Sequence, residues 1–297
     1  MLRRNGFIDL DRMLSKKEII KVSDIHDVDN LERIDIFTYD GKQLYFFKTP
    51  MFCEPYSELI AEEILEDFDL PHATYDLAIH KKRKGVLTKD FRKKDKKYVN
   101  GLSILEEYFK HNKSDDSDYL SMKYNNLDDI WNALEYRYKD KPNKKEIVSK
   151  LMNQLVDLLI FDILVANSDR TYNNYQIEEG EDDINLAPIF DNEGVLYNCN
   201  NISFYVEDSN NNLRNSNPYV ELEKFLDYGD SAYINRIKDK LWIISDDNIE
   251  KVYEKISRKT GFEIPDGLAV DYMKEFMNHR EKIEKIIEKY DKGQVIR

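Results

Sequence analysis

Apolar and polar positions alternate in short segments near the start of the chain and follow helical spacing over most of the remainder. Period-two patterns bounded by turn residues predict strands, at 19–23, 33–39, 43–48, 74–79 and 85–88. Helical spacing of apolar residues predicts helices, at 57–69, 102–111, 126–139, 144–166, 218–227, 231–240, 247–258 and 267–289. We therefore expect an α+β protein with a small β-rich lobe followed by a larger helical lobe.

The change from strand to helix patterning predicts a division of the chain. Strand patterns end within 88–100, which is the candidate linker. We therefore expect an N-terminal lobe over residues 1–90 and a C-terminal lobe over residues 91–297.

The most apolar segment of the chain precedes a polar loop and a hairpin. Residues 147–166 form a strongly apolar segment, and from Leu155 onward apolar residues occupy nearly every helical face, which indicates a largely buried helix. The polar residues from Asn167 onward favour its end. Residues 174–178 and 184–190 predict two short strands around an acidic turn. A hairpin at this point returns Asp191 to the loop that follows the helix.

Three oxygen-bearing side chains lie around this hairpin, namely Asp169, Asn174 and Asp191. The spacing Asp-x-x-x-x-Asn, followed by a hairpin and a second Asp, is what a phosphotransferase needs around a metal-bound nucleotide. Asp169 can receive or orient the hydroxyl proton of an acceptor, and Asn174 and Asp191 offer hard oxygen ligands to Mg²⁺. The alternative interpretation is that all three are solvent-facing loop residues in an acid-rich protein.

A lysine, Lys48, ends the strand predicted at 43–48. Three aromatic residues precede it and indicate a mostly buried strand, so its ammonium needs an anionic partner. It either binds phosphate at the mouth of a nucleotide cleft or leaves the sheet into solvent. In the next helix, Glu58 reaches back to Lys48 if the helix packs on the preceding hairpin, although most helix glutamates are merely solvated.

Composition narrows the class of protein. The chain has 297 residues, a formal net charge of −13, 41% hydrophobic residues and 35% charged residues. These values are typical of a folded, helix-rich chain and disfavour a nucleic-acid-binding surface over most of it. Cys53 and Cys199 provide no disulfide framework, so a reducing cytoplasm is the expected compartment. Asp157 and Asp162 interrupt the most apolar run, and stable membrane insertion is not expected.

Two segments depart from this acidic background. Lysine and arginine residues cluster between 81 and 97, where they either attract an acidic substrate or anionic lipid or form a solvated loop face. Residues 198–217 are polar and rich in asparagine, which indicates a long loop that is either functional or flexible.

Together, three segments resemble the HipA-like protein kinases, a bacterial branch of the eukaryotic-like kinase fold. YFFK at 45–48 is similar to the strand that carries the nucleotide lysine. SELIAEEIL and LPHATYDLA resemble the glutamate-bearing helix and the strand after it. NSDRTYNN and LAPIFDNEG resemble the catalytic loop and the metal-binding aspartate motif, and this third match is the most specific. The resemblance spans residues 34–194.

The resemblance implies a bilobal protein-kinase-like fold and an ATP- and Mg²⁺-dependent Ser/Thr protein kinase. It identifies Asp169 with the catalytic base and Asn174 and Asp191 with the Mg²⁺ ligands. Lys48 corresponds to the residue that contacts nucleotide phosphates, and Glu58 to its ion-pair partner. A protein substrate is expected, together with a possible antitoxin-like or regulatory protein partner.

Two departures from the family pattern keep alternatives open. Thr171 stands where related loops usually carry His, and residues 24–31 before Lys48 are acidic rather than Gly-rich. A catalytically weak or silent kinase fold that acts as a binding module is therefore one alternative. A lipid or small-molecule kinase is the other, since phosphoinositide kinases share a similar catalytic-loop pattern.

Overall fold

The first part of the chain forms one mixed sheet in the structure, which is a computed structural model. The residues that the structure describes are 3–4, 6–26, 33–49, 56–112, 127–167, 170–181, 183–192, 194–195, 204–207, 213–216, 218–228, 231–261 and 266–291.

The N-terminal sheet is built mainly from antiparallel neighbours. Its strands are β1 (Arg3–Arg4), β2 (Phe7–Asp9), β3 (Ile20–His26), β4 (Arg33–Thr38), β5 (Leu44–Lys48), β6 (Tyr75–His80) and β7 (Arg83–Lys89). Their order across the sheet is β1-β2-β6-β7-β5-β4-β3, and only the β2–β6 pair is parallel among these strands. Helix α1 (Leu10–Ser15) follows β2, and helix α2 (Ser57–Asp67) lies between β5 and β6 along the chain.

The two faces of this sheet contribute to different cores. Because successive residues of a strand point to opposite faces, Phe47 and Leu87 pack with α1, whereas Leu77 and Val86 pack on the side of α2. The α2 side is continuous with the core of the remaining helices, so α2 has buried residues at every position from Ser57 to Leu65.

The second part of the chain is mainly helical. Its helices are α3 (Gly101–Asn112), α4 (Leu127–Arg137), α5 (Lys144–Leu164), α6 (Pro218–Tyr228), α7 (Ser231–Leu241), α8 (Asp246–Thr260) and α9 (Asp266–Asp291). It also contains the strands β8 (Lys97–Asn100), β9 (Gln176–Glu179), β10 (Ile184–Leu186), β11 (Phe204–Glu207) and β12 (Leu213–Ser216). The small sheet β10-β9-β8 and helix α5, which is buried along most of its length, form the centre of this part.

The α+β class, with a small sheet-rich part followed by a larger helical part, is confirmed. The structure differs from the predicted elements at three places. The segment Phe7–Ser15 forms β2 and α1, which the pattern did not indicate. The link between the strands predicted at 33–39 and 43–48 spans residues 39–43, since Thr38 is the last residue of β4 and pairs with Leu44 of β5. In this link the Asp40 carboxylate accepts the N–H groups of Lys42 and Gln43. Within the polar segment 198–217, β11 and β12 form an antiparallel pair.

Among the described helices, none is long and apolar enough to cross a membrane. The acidic segment 24–31 is described only at its start, where residues 24–26 end β3, and the rest of it lies outside the described residues.

Candidate active site

A cavity of about 330 Å³ lies between the α2 side of the N-terminal sheet and the residues that follow β10. Its apolar and aromatic walls are formed by Ile34, Phe46, Ala73, Val86, Phe91 and Phe190. Its charged lining residues are Lys48, Glu58, Lys89, Asp90, Arg92 and Asp191. Apolar walls with a few convergent polar groups are the usual form of a small-ligand site. A larger cavity, of about 490 Å³, lies among α4, α5 and α6 and contains none of the predicted site residues.

Lys48 reaches the cavity because of the alternation of β5. Phe47 is fully buried on the α1 side, so its neighbours Phe46 and Lys48 lie on the cavity side. The Lys48 Nζ forms an ion pair and a hydrogen bond with Asp191 Oδ1. The two side chains are only 14% and 23% exposed, so Lys48 has the anionic partner that its burial requires.

The neighbouring strand approaches Lys48 closely at Gly85. A Cβ atom at Gly85 would lie 2.2 Å from the Lys48 carbonyl oxygen and 3.0 Å from the Phe47 ring. Glycine therefore lets β7 and β5 approach each other beside the lysine, a constraint that strand patterning does not reveal.

Glu58 and Tyr75 hold the backbone around Asp191. The Oε2 atom of Glu58 accepts a hydrogen bond from the Asn192 N–H at 3.0 Å, and the Tyr75 hydroxyl accepts one from the Asp191 N–H at 3.2 Å. Burial raises the pKa of Tyr75 well above its usual value, and the nearby Glu58 and Asp191 charges act in the same direction. The hydroxyl is therefore neutral at physiological pH.

Asp191 has a left-handed backbone, with φ of 58°. This conformation costs a non-glycine residue about 1–2 kcal/mol. The hydrogen bonds to the N–H groups of Asp191 and Asn192 hold the segment in place. Backbone strain of this kind persists where the surroundings over-determine it, and it clusters at ligand sites.

Helix α5 ends two residues earlier than its sequence pattern predicts. The N–H of Ala166 donates to the Ile163 carbonyl at 3.2 Å, and the N–H of Asn167 donates to the Asp162 carbonyl at 2.8 Å. These two bonds form a Schellman motif, with Ala166 at φ 52° in the position that glycine usually occupies. Because the usual glycine signal is missing, the sequence did not indicate this end.

Arg170 organises the loop after α5, and sequence reasoning missed it. Its side chain is completely buried. The Nε–H and one Nη2–H donate to the carboxylate of Asp162 at 3.0 and 3.2 Å, and the other Nη2–H donates to Asn192 Oδ1 at 2.6 Å. The two Nη1–H groups donate to the carbonyls of Asn174 at 2.7 Å and Phe190 at 2.9 Å. All five guanidinium donors therefore have acceptors.

The arginine and its counter-ion depend on each other. Burial raises the pKa of Asp162, while the Arg170 guanidinium and the Asn167 side chain lower it. The signal that could have revealed the pair is Asp162 itself, because a carboxylate inside an apolar helix needs a buried cation or hydrogen bonds.

The predicted site residues are partly brought together. Lys48, Glu58 and Asp191 line one cavity. The backbone of Asn174 lies close to that of Phe190, the residue before Asp191. The carbonyls of Asn174 and Phe190 both accept hydrogen bonds from the Nη1 atom of Arg170. Asp169 lies outside the described residues, directly before Arg170.

The oxygen atoms of the predicted metal ligands, Asn174 and Asp191, are of the type that a hard divalent cation with few protein ligands binds. No group of three or more His, Cys, Asp or Glu side chains that could hold a metal occurs within the described ranges. An amide oxygen from Asn174 and a carboxylate from Asp191 suit Mg²⁺, which usually takes one or two protein ligands and completes its shell with phosphate oxygens and water. The lining cations and aromatic walls suit an anionic ligand with a flat ring.

Comparisons with known proteins find similarity in structure. No family model and no curated protein matches the chain. The structure is similar to the proinflammatory kinase CtkA of Helicobacter pylori, with a TM-score of 0.60 and 18% identity over 88% of this chain and 95% of that one. It is also similar to HipA of Shewanella oneidensis MR-1, seen in a toxin–antitoxin complex with HipB and operator DNA. That match has a TM-score of 0.53 and 13% identity, over 92% of this chain and 65% of that one. At these identities the likeness shows the fold alone, and the fold of this chain is that of the HipA-like kinases.

Proposed function

We propose that this protein is an ATP- and Mg²⁺-dependent phosphotransferase, and specifically a Ser/Thr protein kinase. The observation that carries the proposal is the convergence of Lys48, Glu58 and Asp191 on one cavity with aromatic and aliphatic walls. These residues come from β5, α2 and the segment after β10, which are distant in sequence, and a kinase requires a cation, its supporting carboxylate and a metal-binding carboxylate at one place.

Each residue has a role in this proposal. Lys48 exchanges its contact with Asp191 for nucleotide phosphates and pairs with Glu58. The Glu58 carboxylate also accepts the Asn192 N–H, so that Asp191 keeps its position. Asn174 and Asp191 hold Mg²⁺, which neutralises charge on the transferring phosphoryl group when it is bound. Asp169 accepts or orients the proton of the acceptor hydroxyl.

We propose a protein as the phosphoryl acceptor and a regulatory protein as a partner. The HipA to which this fold is similar occurs in a complex with HipB, which supports a search for such a partner. A lipid or small-molecule acceptor, and a silent fold that only binds nucleotide, are the competing outcomes of the test.

The test is incubation of the protein with γ-labelled ATP and Mg²⁺, followed by mapping of any phosphorylated residue. Wild type is expected to transfer label to serine or threonine, and Asp169→Asn is expected to lose on the order of 10²-fold in rate while it still binds nucleotide. Equal labelling by the two proteins would contradict the role of Asp169. A nucleotide-dependent rise in melting temperature in both, without labelling in either, would favour the silent binding module.

A further inference from the structure

Within the described ranges, one buried oxygen atom of a residue that lines the cavity has no hydrogen-bond partner. The side-chain Oε1 of Gln176 is buried, and among the described residues it has no hydrogen-bond partner. Gln176 also lines the cavity that contains Lys48 and Asp191. A buried acceptor without a donor is unfavourable, and a turn of the carboxamide toward the cavity lets a bound molecule satisfy it.

The main chain fixes where this glutamine lies. Gln176 begins β9, where it is paired with Asn100 of β8, and its carbonyl accepts the N–H of Ala187 at 2.8 Å. The next residue, Ile177, is fully buried in the core. Because side chains alternate along a strand, the burial of Ile177 places Gln176 on the opposite side, toward the cavity.

The surroundings of Gln176 indicate the kind of ligand. Aromatic walls from Phe46, Phe91 and Phe190 suit a flat ring, and Lys48 suits a phosphate. A nucleoside phosphate combines the two and carries hydrogen-bond donors, either as the amino group of its base or as the hydroxyls of its ribose. Either donor satisfies an isolated carboxamide oxygen.

We propose that Gln176 determines nucleoside specificity, its carboxamide oxygen accepting a hydrogen bond from an N–H or O–H donor of the bound nucleoside. The proposal rests on the proposed function, since it places a nucleotide in the same cavity, and it adds a recognition residue that lies two positions after Asn174. A site that hydrogen-bonds a donor discriminates strongly against analogues that lack it.

The first test compares two Gln→Leu variants of the full chain. Gln176→Leu removes an acceptor without a described partner, so its melting temperature without nucleotide is expected to equal or exceed that of wild type, while its Kd for ATP rises about tenfold. Gln154→Leu is the matched control. Its Oε1 accepts the Leu186 N–H at 2.9 Å outside the cavity, so this variant is expected to lose stability and to keep its affinity for ATP.

The second test identifies the donor by calorimetry with ATP, 2′-deoxy-ATP and purine riboside triphosphate, which lacks the amino group. Wild type is expected to bind one of the two analogues about tenfold more weakly than ATP, and Gln176→Leu is expected to bind that analogue and ATP equally.

Unchanged ATP affinity in Gln176→Leu would overturn the role of Gln176 and leave the proposed function intact. The same conclusion follows if the melting temperature of Gln176→Leu falls as that of Gln154→Leu is expected to fall. It also follows if Gln176→Leu still discriminates among the three nucleotides as strongly as wild type does. Absence of nucleotide binding by wild type would overturn the proposed function and this inference with it.

Discussion

At the scale of single residues, Arg170 connects the two segments that carry the proposed metal ligands. Its guanidinium bonds to the carbonyls of Asn174 and Phe190, to Asn192 Oδ1, and to the Asp162 carboxylate on α5. The loop after α5 and the segment after β10 therefore have a common buried anchor. Since both groups of the Arg170–Asp162 pair are completely buried, removal of one leaves the other as an uncompensated charge.

Arg170→Met is expected to lower the free energy of unfolding by about 3–5 kcal/mol, because Asp162 is left buried without its cation. Urea denaturation measures the change. The matched control is Arg258→Met, since the pair of Arg258 with Glu254 is exposed on α8 and its loss is expected to cost less than about 0.5 kcal/mol. A loss below about 1 kcal/mol for Arg170→Met would show that the buried network does not stabilise the loop.

Single residues also show how far sequence reasoning extends. Lys48 is a charged residue at the end of an apolar strand, so its need for an anionic partner could be inferred, and the structure gives it Asp191. Asp162 indicates that a buried cation is needed, but the sequence does not show which one, because the acceptors of Arg170 on Asn174 and Phe190 meet only in the folded chain. Gln176 likewise looks like an ordinary strand residue until its neighbours are known.

At the scale of secondary-structure elements, α2 is fixed to the helical part of the molecule. Glu62 accepts the Tyr75 N–H at 2.9 Å through one carboxylate oxygen and the Lys259 Nζ of α8 at 2.6 Å through the other. Lys255, one turn earlier on α8, pairs with Glu63 at 3.2 Å. These contacts hold α2, and therefore Glu58, in position against the cavity.

Lys259→Met is expected to destabilise the fold by about 1–3 kcal/mol at neutral pH and to increase hydrogen exchange in α2. Burial raises the pKa of Glu62, and the Lys259 ammonium lowers it, so the variant has a still higher pKa. A carboxyl whose pKa rises on folding contributes stability at low pH and loses it as the pH rises through the folded pKa. The difference in free energy of unfolding between wild type and Lys259→Met should therefore be larger near pH 7 than near pH 4.

The matched control for this prediction is Lys255→Met. The Lys255 side chain is 41% exposed, so the loss of its pair with Glu63 is expected to cost less than about 1 kcal/mol. A destabilisation by Lys259→Met that stays constant between the two pH values would contradict the role of Glu62 ionisation.

Elements with strong local patterns were predictable, and those that depend on distant partners were not. The hairpin β9–β10 was predicted from two short strand patterns around an acidic turn, and it forms with Ile184 opposite Glu179. The strand β2 was missed because it is short and pairs in parallel with β6, far along the chain. The pair β11–β12 was missed because the segment 198–217 that contains it is polar and rich in asparagine overall.

At the scale of the whole molecule, the cavity combines contributions from both parts of the fold. Lys48 and Glu58 come from the N-terminal sheet and α2, whereas Gln176 and Asp191 belong to the part that follows α5. The structural likeness to CtkA at 18% identity shows that this arrangement of elements does not require similar sequences. The proposed boundary between residues 90 and 91 falls in the segment between β7 and β8 that borders the cavity.

The central proposal is that Asp191 holds a metal ion beside a nucleotide bound by Lys48. The most direct measurement is calorimetry of ATP binding with and without Mg²⁺, for wild type, Asp191→Asn and Lys48→Met. Mg²⁺ is expected to tighten binding to wild type by about tenfold or more, which corresponds to about 1.4 kcal/mol. Lys48→Met should bind weakly under both conditions and keep the effect of Mg²⁺.

Asp191→Asn is expected to bind ATP without Mg²⁺ at least as tightly as wild type, because the substitution removes a negative charge from the cavity and releases Lys48 from its ion pair. Mg²⁺ should no longer tighten binding to this variant, since its carboxylate ligand is lost. If Mg²⁺ tightens ATP binding to Asp191→Asn by the same factor as to wild type, Asp191 is not a metal ligand and the account is wrong.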